Sequence, residues 1–534
     1  MSRNILDMWV RGLVAALLVL STRNTWVVAS GVSYVAAVFE SSPNQTSAAS
    51  AAAGLTQMMT TLASYKPVFA DAAASGAEIL VLNEMSISGF SFTVAEQVTP
   101  YLVELPSLGT VPCSAASAFT SATPTSQVLP ALSCSARDLN MTFVVDLAER
   151  RACARIQAPC PARGYFQFNT QIVLLGGTGA LASVYVKNHL FLPGNEGDIF
   201  DSAPWQPSYA TFRSHTGRIF GQAVCFDLFY PNPILALAGM GVRDIVFSSY
   251  WENLKSYPLV TAASLQRAVS EAANVNLIGA SVGYSWQNSG TGIYSQGRIL
   301  NATFNQGATP RNTLVTAVVP SLAPEGAVTA QGGAQAIFPS QQLTSALPAL
   351  AIEQERAEAA PVQPDVRAFT RGQSYVGNMT LVKVSIPAGA STRLTQAVVH
   401  EGIQCDFSIT LRGGNKGTTL ALIAQDGQYM VGAMRTQLCA LQECPAGRCS
   451  LQDIPVPASG GITLQSGGIT MWGFTAVRGL VAAIGPHGTP VDVRWAPWQQ
   501  YSSFGVVSRG FEVDITGITL IGTFPYFQAH AHLP

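Results

Sequence analysis

The sequence predicts an α/β layered domain followed by a smaller, mainly β region, and three observations carry that expectation. Between Val32 and about Leu314, short β-rich runs alternate with helix-like stretches. The runs are apolar throughout, as strands covered on both faces tend to be. Beyond Arg371 the β-rich runs are separated by Gly-rich turns instead.

Taken in order, the strand candidates of the first region are Tyr34–Phe39, Glu78–Leu82, Thr142–Asp146, Gln171–Leu175, Ala182–Val186, Arg218–Val224, Asp244–Phe247 and Asn276–Ala280. Helices are expected near 50–75 and 260–274. From Val315 to Arg371 the chain is rich in Ala, Gln, Pro and Gly with little periodicity, which reads as a loosely packed connection. Met379–Ser385 and Thr418–Ile423 are strand candidates of the second region. The organisation expected is thus a domain over 31–315, a connection over 316–371 and a β-rich domain over 372–534.

With 534 residues the chain is too long for one ordinary core. Hydrophobic residues are 48% and charged residues only 11%, with a net charge of -1. Such a chain has no electrostatic footprint for nucleic acid and no reason to seek an anionic membrane surface. A small neutral or amphipathic substrate fits better.

Residues 1–30 place Arg3 and Arg11 before the apolar run Gly12–Leu20 and end in Val27-Val-Ala-Ser30. The run is too short to span a bilayer, so a cleaved signal peptide and secretion are expected, against the alternative of an uncleaved anchor. The C-terminus carries no long hydrophobic tail, so no glycolipid anchor is expected. Sequons at Asn44, Asn140, Asn301 and Asn378 agree with that compartment. Nine cysteines in an oxidising compartment leave one thiol over, and Cys225, inside an apolar run, is the natural odd one.

Three segments place a functional side chain where a strand ends. Glu84 follows Glu78–Leu82; a solvated loop residue is the bland reading, a proton carrier the sharp one. Lys187 leaves Ala182–Val186, either snorkelling to the surface or pointing inward to stabilise an oxyanion and depress a thiol pKa. Cys225 follows Arg218–Val224, either a small buried hydrophobe or a thiol on a strand-to-helix elbow. In the second case the Phe226 N–H is positioned as an oxyanion donor.

Together these segments resemble the Glu-Lys-Cys triad of the nitrilase superfamily, in its order along the chain. Lys187-Asn-His-Leu-Phe191, Cys225-Phe-Asp227, Tyr165–Gln171, Phe247–Asn253, Asn276–Ser281 and Gly290–Tyr294 look like the vanin/biotinidase branch, and Asn378–Val382 with Cys405, Cys439, Cys444 and Cys449 resemble its C-terminal domain. The resemblance implies an αββα sandwich with an appended mainly β vanin-type domain. It also implies a disulfide loop between Cys153 and Cys160, and Glu196 as a second carboxylate orienting Lys187; a plain loop residue is the alternative for Glu196. Asp227 is expected to fix the elbow, and Trp251 and Asn253 to line the pocket or serve the core. Asp406 beside Cys405, where the branch has adjacent cysteines, and an insertion between Tyr101 and Leu139 depart from the pattern.

The resemblance implies hydrolysis of a linear carboxamide through a thioester, pantetheine first and biotinyl amides such as biocytin second, with no cofactor or metal. A secreted binding or adhesion protein on the same scaffold is the reading from another class. A Cys225–His189 dyad explains less of the chain, and His530 and His532 lack the companions of a metal site. A monomer is expected.

Overall fold

The computed structural model describes residues 33–322 other than 44–46, 115–123, 157, 206, 231, 254–261 and 306, together with strand segments between 375 and 525. The leader run, Asn44, Asn378, Cys444, Cys449, His530, His532 and most of the expected connection lie outside the described residues.

Strands β1 (Tyr34–Glu40), β2 (Ala77–Leu82), β3 (Thr142–Ala152), β4 (Tyr165–Leu174), β5 (Leu181–Val186), β6 (Thr211–Arg213), β7 (Ile219–Val224), β8 (Asp244–Ser248), β9 (Asn276–Ala280), β10 (Thr291–Ser295), β11 (Arg298–Thr303) and β12 (Thr313–Val319) form two six-stranded sheets. Their orders are β12-β1-β2-β3-β4-β5 and β11-β10-β9-β8-β7-β6. The sheets face each other across Val38, Val81, Val144 and Val173 on one side and Phe220, Val246 and Ile278 on the other. Each such side chain taken from water contributes about 1.5–3 kcal/mol, so this apolar layer is a major source of stability.

Helices α1 (Ala51–Ala74), α2 (Val128–Asp138), α3 (Glu196–Ile199), α4 (Ile234–Gly239) and α5 (Ala262–Ala273) supply the outer layers and the rim. In α1, Met58, Leu62, Tyr65, Phe69 and Ala72 recur at helical spacing and bury against the first sheet. Ser50 caps its start by accepting the Ala53 N–H, and Gly76, at φ 79°, takes the left-handed turn beyond its end. Leu237 of α4 and Leu265 and Val269 of α5 cover the second sheet. The layering is α-β-β-α, as the resemblance implies.

Three differences from the sequence reading arise from tertiary contacts. Strand β12 runs to Val319, past the expected domain boundary at 315, pairing with β1 from Tyr34↔Val319 to Glu40↔Thr313. A strand ending at 315 would leave half of β1 as an open edge. Strands β3 and β4 continue well beyond their apolar runs, pairing as far as Ala152↔Tyr165. The polar extension is held by Arg151, which binds Glu149 and lies over the rings of Phe168 and Trp205. The insertion between Tyr101 and Leu139 contributes α2, tied back by a Cys113–Cys134 disulfide, while Cys153 and Cys160 close the loop between β3 and β4.

The C-terminal region consists of strands among its described residues, including Met379–Ile386, Thr418–Tyr429, Met434–Glu443, Leu480–Ile484 and Gly517–Pro525 in one antiparallel sheet. Ala421 and Ile423 share a buried cluster with Leu265 and Val269 of α5. No helix among the described residues is long and apolar enough to cross a membrane.

Glu40, at the end of β1, is fully buried and accepts from the Ser289 hydroxyl and the Gly290 N–H. Burial pushes its pKa up to about 7 against those bonds. Below the ordinary carboxylate range, folded and unfolded chains both hold this proton. As pH rises from about 4.5 to about 7 the unfolded chain releases it first, so stability falls. Glu40→Gln is expected to remove a loss on the order of 3 kcal/mol over that interval. Urea unfolding of both proteins at the two ends of the interval checks this; equal pH dependence would refute it.

Candidate active site

The parallel strands bring their carboxyl ends to one rim, as β1 with β2 and β7 with β8. The two sheets are stitched there by polar bonds. Ser248 Oγ donates to the Leu82 carbonyl (2.7 Å), Gln171 Nε2 donates to Ser248 Oγ (2.8 Å), and the Glu84 N–H donates to the Ser249 carbonyl (3.3 Å). The ends of β2 and β8 therefore meet where Glu84 leaves its strand.

Glu84, Lys187 and Glu196 are all buried, at 1–2% exposure, and in direct contact. Lys187 Nζ donates to Glu84 Oε1 at 2.8 Å and to Glu196 Oε1 and Oε2 at 2.9 and 2.7 Å. Burial opposes the charge on Lys187, but Glu196 and Glu84 outweigh it and hold the ammonium well above its ordinary pKa. Burial raises the Glu196 carboxyl despite the pull of Lys187. Its Oε2 also accepts the Phe191 N–H at 2.6 Å, which ties α3 to the segment after β5.

Cys225 is the free cysteine among the described residues, 8% exposed, at the first position after β7. Its φ of 44° is a left-handed conformation that a non-glycine residue adopts at a cost of about 1–3 kcal/mol. Asp227 holds the turn. Its Oδ2 accepts the Val224 N–H (2.9 Å) and the Tyr185 hydroxyl (2.7 Å), and its Oδ1 accepts the His189 N–H (3.1 Å) and lies 2.8 Å from His189 Nδ1. His189 is thus engaged by Asp227 and stacked on Tyr230, whose ring centre is 3.7 Å away. Phe226 lies in the first turn of a 3-10 helix, Cys225–Phe229, where N–H groups have no intrahelical partner.

Lys187 acts on the thiol in the expected direction, but the net shift is the opposite one. Burial first, and then the charge of Glu84, push Cys225 well above the ordinary thiol value, and Lys187 does not prevail. Lys187 does lower the thiol pKa, but burial and the charge of Glu84 together outweigh it.

Tyr250 joins the acid to the thiol. Its N–H donates to Glu84 Oε2 at 2.7 Å, and its carbonyl lies 3.6 Å from Cys225 Sγ, which donates to it. Asn169 in β4 bridges the carboxylates, Nδ2 donating to Glu84 Oε1 and to Glu196 Oε1 at 2.7 Å each. Sequence reasoning assigned neither a role; a polar side chain inside the buried run Phe166–Leu174 was the available signal for Asn169. Trp251 stacks on Phe229 within the core beneath the rim. Asn253 braces its loop, donating to the Ser289 carbonyl and accepting the Ala262 N–H.

Among the described residues, no group of three or more His, Cys, Asp or Glu side chains is arranged to hold a metal ion. A buried ammonium held by two carboxylates beside a lone thiol on a strained elbow is equipped for proton transfer and nucleophilic attack.

The carbon-nitrogen hydrolase family model matches residues 35–276. The biotinidase of Takifugu rubripes is 32% identical over 320 residues, covering 57% of this chain and 60% of the relative. The pantetheinase of Bos taurus is 33% identical over 228 residues, 42% of either chain. The chain spans about half the length of the curated relatives it matches. A solved amidase from Nesterenkonia sp. shares 18% identity at a TM-score of 0.39, covering 56% of this chain and 94% of that one. Residues 35–276 thus resemble the carbon-nitrogen hydrolase family, and the chain is similar to biotinidases and pantetheinases over about half of its length.

Proposed function

We propose that this protein is a secreted hydrolase of linear carboxamides that works through a Cys225 thioester, with pantetheine as its first substrate. What carries the reading is the contact of Lys187 with both Glu84 and Glu196, Glu84 being linked through the backbone of one residue, Tyr250, to a free cysteine.

In the proposed reaction Glu84 takes the thiol proton as Cys225 Sγ attacks the amide carbonyl carbon. Because the thiol is held in its protonated form at rest, transfer to Glu84 accompanies attack rather than preceding it. Lys187 and the Phe226 N–H stabilise the oxyanion. The C–N bond then breaks, and Glu84 returns its proton to the leaving amine. Water, deprotonated by Glu84, attacks the thioester; the acid departs and the sulfur regains a proton. Glu196 and Asn169 hold Lys187 and Glu84 in register through the cycle.

Pantetheinase and biotinidase are both among the similar relatives, so biotinyl amides are the second substrate class. Secretion rests on the leader run and the sequons; Asn140 and Asn301 are exposed. A monomer is supported by Ala421 and Ile423, which pack into the cluster formed by α5. Incubation with pantetheine, biocytin and simple amides tests the substrate assignment. Cysteamine release from pantetheine, faster than lysine release from biocytin, is expected. The reverse order transfers the assignment to biotinyl amides, and no turnover of any amide leaves the binding or adhesion protein.

A further inference from the structure

Three buried carboxyl groups, those of Glu84, Glu196 and Asp146, lie near the buried ammonium of Lys187, which contacts the first two. Their hydrogen bonds are unequal. Glu84 accepts from Asn169, Lys187 and the Tyr250 N–H, and Glu196 from Asn169, Lys187 and the Phe191 N–H. Asp146, in β3, accepts one neutral donor, the Met85 N–H, at 3.0 Å through Oδ1. Its Oδ2 is buried with no partner.

A carboxylate removed from water and given a single neutral donor is strongly disfavoured as an anion. Of the three groups, Asp146 has the fewest bonds to support a negative charge. The charged groups facing it are Glu84 from the end of β2, Lys187 from the end of β5 and Glu196 from α3; across the strand pair its neighbour is the neutral Gln171. Burial first, then the charge of Glu84, push its carboxyl well above the usual carboxylate range, outweighing the Met85 hydrogen bond and then Lys187, which work the other way.

The one bond that Asp146 makes has a specific target. Met85 directly follows Glu84 and sits at φ 50°, a left-handed conformation for a residue with a side chain. The Oδ1 contact fixes the peptide between Glu84 and Met85, and so fixes the direction in which the Glu84 carboxylate leaves the strand.

We propose that Asp146 is a positioning residue: it carries a proton in the resting protein, clamps the Met85 N–H, and thereby aims Glu84 without adding a further charge to the site. The positioning role rests on the proposed function, because it acts through Glu84 as proton carrier; the proton assignment does not.

Asp146→Asn preserves the Oδ1 acceptor and the neutral charge, whereas Asp146→Ala removes both the acceptor and the acid. Turnover is normalised to the Cys225 content that iodoacetamide titrates. The Asn variant is expected to keep kcat within about threefold of the parent, with a superimposable pH profile of kcat/KM. The Ala variant is expected to lose at least about tenfold in kcat while KM stays within about twofold. Infrared difference spectra of parent against D146N should show a neutral carboxylic acid C=O band that the variant lacks.

No such band difference overturns the proton assignment. D146N as slow as D146A, a displaced pH profile in D146N, or D146A as fast as the parent overturns the positioning role. Where D146A does not fold, D146N decides alone, a tenfold loss being fatal to the idea. A parent that turns over no amide defeats the functional reading and the positioning role with it, while the infrared band still judges the proton by itself.

Discussion

Cys225→Ala is expected to lower turnover by at least about 10⁴-fold while the protein is still made and folded. Loss of the sulfur removes the only atom in the proposed reaction that can form the thioester, and Lys187, Glu84 and the Phe226 N–H retain only the capacity to polarise a carbonyl. The fold should tolerate the change, because the elbow is fixed by Asp227 rather than by the thiol. Chemical labelling gives an independent measure. Cys113, Cys134, Cys153 and Cys160 are in disulfides, so among the described cysteines of residues 33–322 iodoacetamide on native, unreduced protein should modify Cys225 alone, with parallel loss of activity. With the thiol pKa raised by burial and by Glu84, alkylation should accelerate as pH rises and the thiolate appears. Labelling at another cysteine with activity intact would remove Cys225 from the nucleophile role.

Lys187→Met is expected to act on activity and stability at once. In the proposed reaction it removes an oxyanion contact, a loss of about 10²–10³ in kcat. In the fold it leaves Glu84 and Glu196 buried around an apolar side chain, and an unpaired buried charge of that kind costs about 3–5 kcal/mol. The stability loss has a definite pH sign. Glu196 already has a carboxyl raised in the folded state, and removing Lys187 raises it further. Such a group contributes most below the ordinary carboxylate range and loses its contribution as pH rises, so the variant should be closest to the parent in acid and weakest in neutral solution. Adding Glu196→Gln to Lys187→Met should recover part of the stability and none of the activity. Urea unfolding at two pH values with paired kcat measurements separates the effects. A single variant with parental kcat would withdraw the oxyanion role.

Much of the fold was legible because burial on both faces writes an apolar run into each central strand; the Asn276–Ala280 run coincides with β9. Polar strand ends were not legible. The extension of β3 through Glu149-Arg-Arg151 depends on partners in β4 and a tryptophan at position 205, none of them local in sequence. The candidate site divides the same way. Glu84, Lys187 and Cys225 could be named because each follows its own strand. Asn169 and Asp146 sit inside strands, and their parts depend on which face the pleat presents and on strand register, information that no single run contains. The lone acidic residue in Phe143-Val-Val-Asp-Leu147 was the trace that Asp146 left in the sequence.

The backbone at Tyr250 receives the thiol at its carbonyl and grips Glu84 with its amide. Acid and nucleophile therefore ride on one stiff strut, and any displacement of the segment following β8 is transmitted to both. Random or directed change in that segment should not trade better proton handling against poorer attack; the two capacities should rise or decline as a pair.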